Sequence, residues 1–206
     1  KNDAEHISIP ITDKLTKRWG ITADQLYQDT IKVQAAWNQP LLADLLEMGA
    51  YLNGGTRPDN LLSADKIDDT GLYVLTNYKL YNGAAMIVHD EMAQKIGNLL
   101  QMDYYILPST VHELLVYPDN GVISITQLQE MVKSVNATDV LPKDRLSDKV
   151  LFYNQQERRL ELATEREEYF EDKTEDTQEK KELAEGKDKS ESEKKEDKSL
   201  KFSNRL

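Results

Sequence analysis

The chain has 206 residues, 39% of them hydrophobic and 31% charged, which is enough apolar material for one globular core plus an appendage. It has no cysteine and only three histidines (His6, His89 and His112), which excludes disulfides and thiolate metal centres and gives no basis for a metal site or any other cofactor. A net charge of −11 argues against direct nucleic-acid binding, which relies on clustered Lys and Arg, and no apolar run approaches the roughly 20 residues that span a bilayer. The expected setting is therefore the cytoplasm, away from the membrane, with a protein as partner.

In chain order, "HISIPI" (6–11) alternates and predicts a short strand. "ITADQLYQDTIKVQAAW" (21–37) opens with Thr22 and Gln25 at capping-box spacing and carries Leu26, Thr30, Val33 and Trp37 at helical intervals. Pro40 opens a second predicted helix, "PLLADLLEMGAYL" (40–52), which Asn53-Gly54-Gly55 ends, and residues 53–70 read as loop. From residue 71 the period changes to two. "LYVLT" (72–76) and "GAAMIV" (83–88) read as strands, followed by the helix "DEMAQKIGNLL" (90–100). "YYILP" (104–108) and "VHELLVY" (111–117) form a second pair, followed after "PDNG" by the helix "ITQLQEMVKSV" (125–135). "KVLFYN" (149–154) and "RRLELA" (158–163) form the last pair. Tyr73-Val74-Leu75-Thr76 and Tyr105-Ile106-Leu107-Pro108 occupy the same place in each half, so a duplicated ββα unit is the economical description.

The expected architecture is α+β: an antiparallel sheet built from ββα units with helices on one face. It has three parts: an N-terminal strand and helical segment over 1–70, the sheet region of the same globular unit over 71–163, and a tail over 164–206. That tail holds 15 acidic and 11 basic residues, and its few apolar side chains, Tyr169 and Phe170 among them, follow no helical period. Such a segment cannot offset the entropy of ordering its backbone and is expected to be disordered.

The densest stretch for chemistry is "DYYILPSTVHELLVYPDNG" (103–121). On a regular strand over 111–117, alternation puts Glu113 on one face with Val111, Leu115 and Tyr117, and His112 on the other with Leu114 and Val116. The two side chains then point apart, whereas an acid-base pair must converge. Ser109 and Thr110 follow Pro108 without a nucleophile-elbow motif, and hydroxyls in such turns mostly bond to nearby backbone. "NGGT" (53–56) lacks the lysine of a phosphate loop, and the carboxylates Asp65, Asp68 and Asp69 miss calcium-loop spacing. The catalytic candidates are thus His112, Ser109, Thr110 and Glu113. Asn77, Asn82, Asn136 and Thr138, with Ser147, are short polar residues at the ends of predicted elements, and they are the binding candidates if those ends converge.

A resemblance rests on Leu75-Thr76-Asn77, Asn82-Gly83-Ala84, Tyr105 to Thr110 with His112-Glu113, Val135 to Thr138, Leu146-Ser147-Asp148 and the preceding "KRWGITADQLYQDTIKVQ". Over roughly residues 5–162 the chain resembles a family of proteins of unknown function from Gram-positive anaerobic bacteria. The resemblance implies a bacterial origin and, because members carry a further N-terminal region, a C-terminal portion of a longer protein; it implies no mechanism. The leading reading is a non-enzymatic interaction module with an acidic surface that binds another protein. Two others stay open: a hydrolase or transferase with His112 as general base and Ser109 or Thr110 as nucleophile or substrate contact, and an acidic mimic of nucleic acid.

Overall fold

The structure of the chain is a computed structural model that describes residues 9–89 and 91–163, with residues 34–37 described by backbone alone. It divides into two units, residues 1–161 and 162–206, and the expected charged tail lies outside the described residues. Of the strand expected over 6–11, residues 9–11 are irregular and 6–8 lie outside the description.

The helices are α1 (Asp13–Trp19), α2 (Ala23–Trp37), α3 (Leu45–Leu52), α4 (Met92–Leu100) and α5 (Ile125–Thr138), with two 3-10 segments at Leu61–Ser63 and Gly83–Val88. The strands are β1 (Pro40–Asp44), β2 (Tyr73–Asn77), β3 (Tyr104–Leu107), β4 (Leu114–Pro118), β5 (Leu151–Asn154) and β6 (Arg159–Leu162), joined in one antiparallel sheet in the order β1-β2-β4-β3-β5-β6. The α+β class stands, built differently in three places from what the periodicity predicts.

First, the helix expected from Pro40 begins only at Leu45. Leu41, Leu42 and Ala43 are wholly buried because they form an edge strand against β2, with Leu42 opposite Leu75. Asp44 ends that strand and caps α3, its carboxylate accepting from the amides of Leu46 (2.8 Å) and Glu47 (3.1 Å). On the outer side of β1, Asn60 takes the place of a further strand. Its amide oxygen accepts from Leu42 N–H at 3.2 Å and its amide nitrogen donates to the Pro40 carbonyl at 2.9 Å. An edge satisfied by a side chain is closed to pairing with another chain.

Second, 83–88 is a 3-10 segment rather than a strand. Asn82 adopts a left-handed φ of 52°, and the amides of Gly83 and Ala84 donate out of the sheet to the carbonyls of His112 (2.9 Å) and Val111 (3.2 Å). With those donors consumed, no ladder forms, and the ββα duplication is absent: β2 pairs with β4 instead of with 83–88.

Third, helices lie on both faces of the sheet. One face buries Leu42, Tyr73, Leu75, Leu114, Val116, Ile106, Tyr104 and Tyr153 against Met92, Ile96, Leu99 and Leu100 of α4 and against both 3-10 segments. The alternate residues Leu41, Ala43 and Val74 form the other face and pack with Met48 of α3, Leu80 and Leu115. The strands are apolar on both sides, so period two marks strands here without choosing a face.

Two tyrosine hydroxyls of the core donate to backbone carbonyls, while that of Tyr153 has no partner among the described residues. Tyr104 stacks on Tyr153 at 4.9 Å and donates to the Ala93 carbonyl at 2.8 Å, while Tyr73 donates to the Asp68 carbonyl at 2.6 Å. Burial pushes the Tyr104 phenol well above its ordinary value; for Tyr73, burial together with the nearby Asp68 and Asp44 carboxylates pushes it up to about 12.

Candidate functional site

A pocket of about 390 Å³ opens on the α3 side of the sheet. Its floor is Val74 of β2 beside Leu115 of β4, directly opposite each other in the ladder. Leu45, Met48, Gly49 and Leu52 of α3 form one wall and Leu80, in the turn after β2, another. Two residues on from Val74 along β2, and two residues before Leu115 in the loop that leads into β4, the character changes: Thr76 and Glu113 line the pocket there, with Ser109 and His112 beside them.

Thr110 sets the local geometry. Its hydroxyl oxygen accepts from the amides of His112 (3.0 Å) and Glu113 (3.2 Å) and donates to Glu113 Oε1 at 2.7 Å. Those amides are therefore turned into the loop, and β4 starts only at Leu114, whereas the sequence predicts strand from 111. His112 and Glu113 escape strand alternation as a result and line the same pocket.

His112 is held from several sides. Nδ1 accepts from the Asn82 amide at 3.2 Å, which leaves the proton on Nε2, and Nε2 stands 3.6 Å from Asp144 Oδ1. The ring packs on Tyr81, with centroids 5.2 Å apart. The carbonyl of His112 accepts from Gly83 N–H and, at 2.8 Å, from Thr76 Oγ1. Asn77 supports the arrangement from behind. Fully buried, it donates to the Tyr81 carbonyl at 2.9 Å and accepts from the amides of Lys79 and Tyr81, closing the turn that carries Leu80 and Asn82.

The other binding candidates are elsewhere. Asn136 of α5 is buried and donates to the Ser147 carbonyl and Asp148 Oδ1, tying the helix to the 147–148 loop, and its own Oδ1 has no partner among the described residues. Thr138 is exposed and bonds to the Ser134 carbonyl. Neither lines the pocket. Arg57 also lies outside the lining, its guanidinium set over the rings of Tyr51 (5.2 Å) and Tyr78 (5.3 Å).

A family model described as a family of unknown function (DUF5688) matches residues 1–155. The chain belongs to this family. No curated protein and no solved structure matches it.

Among the described residues, no three His, Asp or Glu side chains come together in a way that could hold a metal ion, and no helix is long and apolar enough to cross a membrane. Sequence reasoning missed Asp144, which sits in an irregular loop and approaches His112 only through the fold, and it missed Gly49. Gly49 is inside α3, where a glycine costs about 0.5–1 kcal/mol relative to alanine, yet an added Cβ would meet nothing within 4 Å. No steric demand explains it, and its effect is to leave the pocket wall open.

Proposed function

We propose that this protein is a non-enzymatic interaction module and that a partner protein docks a side chain into the pocket beneath α3. The observation that carries the reading is the lining: six apolar side chains, Leu45, Met48, Leu52, Val74, Leu80 and Leu115, around a concavity that Gly49 leaves unfilled. A volume near the lower end of the roughly 300–1,000 Å³ typical of ligand sites suits one or two side chains better than a large cofactor. The hydrolase or transferase reading asks His112 for a free ring nitrogen aimed at a hydroxyl. Nδ1 already accepts from Asn82 and Nε2 faces Asp144, so deprotonating Ser109 would first require breaking the Asn82 bond.

The test is a comparison of the wild-type chain and Gly49→Phe as baits in cross-linked native lysate. The phenyl ring fills the pocket from a position where the Cβ meets no neighbour, so the variant should melt like the wild type. At least one protein captured by the wild type should be missing from the Gly49→Phe sample. If both baits capture the same set, the pocket is not the docking site and the reading fails.

A further inference from the structure

Resting on that reading, we infer that the docked group is a lysine side chain of the partner, its methylenes along the apolar walls and its ammonium at Glu113. Glu113 lines the pocket with one carboxylate oxygen, Oε1, taken by the Thr110 hydroxyl, and no lysine or arginine lines the cavity to balance its charge. The single histidine there is turned to Asp144 instead. A carboxylate beside an apolar wall is costly to desolvate unless a cation meets it, so a neutral or anionic occupant would bind against Glu113 rather than with it.

The remaining polar atoms narrow the cation. Ser109 is almost fully buried and its hydroxyl makes no hydrogen bond with the described residues, while Thr76 Oγ1, having given its proton to the His112 carbonyl, keeps lone pairs to accept with. The pocket thus offers acceptors on three separate residues, Glu113, Ser109 and Thr76. An ammonium, with three divergent donors and no acceptor, matches that set. A guanidinium sets its donors in one plane to meet both oxygens of one carboxylate, whereas here one of those oxygens already accepts from Thr110 and the other acceptors stand on separate residues. The net charge of −11 adds long-range attraction for a basic partner surface.

The probes are Nα-acetyl-lysine N-methylamide, the same compound acetylated at Nε, and the arginine counterpart, each titrated into the full chain and followed by amide NMR shifts at Gly49, Leu80, Glu113 and Leu115. The lysine probe should saturate with a Kd in the millimolar range expected of so small a ligand, and both counterparts should bind about tenfold more weakly. Glu113→Gln keeps the acceptor for Thr110 and should erase the preference for lysine over its acetylated form, whereas Gly49→Phe should abolish all binding. The inference is overturned if the lysine probe does not bind, if acetylation at Nε or exchange for arginine leaves affinity unchanged, or if Glu113→Gln retains the preference. A partner lost on Gly49→Phe but retained by Glu113→Gln would refute the lysine assignment alone and leave the docking function standing.

Discussion

Gly83→Ala tests whether the 3-10 segment is seated on the loop that carries His112. An added Cβ would lie 2.5 Å from the His112 carbonyl oxygen and 2.8 Å from the Thr76 Cα, both backbone atoms that no rotamer change can move. Reaching even 3.0 Å, the closest approach real Cβ atoms tolerate, requires half an ångström of retreat from the carbonyl. That shift stretches the Gly83 bond to His112 (2.9 Å) and the longer Ala84 bond to Val111 (3.2 Å), and it crowds the Thr76 hydroxyl that shares the same carbonyl. Two backbone bonds at about 1 kcal/mol each, plus overpacking of a buried turn at about 1–2 kcal/mol, give a loss of about 3–4 kcal/mol. Each kcal/mol moves the Tm of a domain this size by about 2–4 °C, so thermal melts followed by circular dichroism should fall by about 6–16 °C. Gly49→Ala is the control: with nothing within 4 Å of its Cβ and a helical backbone, it should raise the midpoint by a few degrees. A Gly83→Ala melt within a degree of the wild type would refute the close packing of the turn on the His112 carbonyl.

Asn60→Ala removes the side chain that satisfies Leu42 N–H, the Pro40 carbonyl and Leu62 N–H, so a loss of about 2–3 kcal/mol in urea unfolding is expected, together with concentration-dependent association through the uncovered β1 edge. An unchanged urea midpoint with a monomeric light-scattering signal would show that Asn60 does not guard the edge. Alkaline titration reads Tyr73, whose native value is about 12 against an ordinary 10. Because the native state holds this proton more tightly than the unfolded chain, the stabilisation is fully present below pH 10 and is lost as pH rises through 12. Wild-type melts should therefore drop between those pH values by more than melts of Tyr73→Phe, and parallel pH profiles for the two proteins would contradict the burial of the phenol.

The sequence by itself determined the α+β class, the change of period at residue 71, the strands around Tyr73, Tyr104, Leu151 and Arg159 and the helices after residues 91 and 124, since all of these depend on local pattern and turn chemistry. It also singled out Ser109, His112 and Glu113, three of the four polar residues that line the pocket. What it could not decide was where competing local preferences would resolve. Leu41 to Ala43 satisfy a helical and a strand pattern equally, and the open edge of β2, with Asn60 on the outer side, selects the strand. Residues 83–88 alternate like a strand, but the carbonyls of Val111 and His112 claim the first two amides and wind the segment into a 3-10 helix. Alternation likewise sends His112 and Glu113 to opposite faces until the Thr110 hydroxyl takes both of their amides and turns them to one pocket. Asp144 reaches His112, and Gly49 lines the pocket, only across the fold, with no spacing in the chain to announce either, because a site assembled from two strands, a helix and the loops between them is defined by distances that only tertiary packing sets.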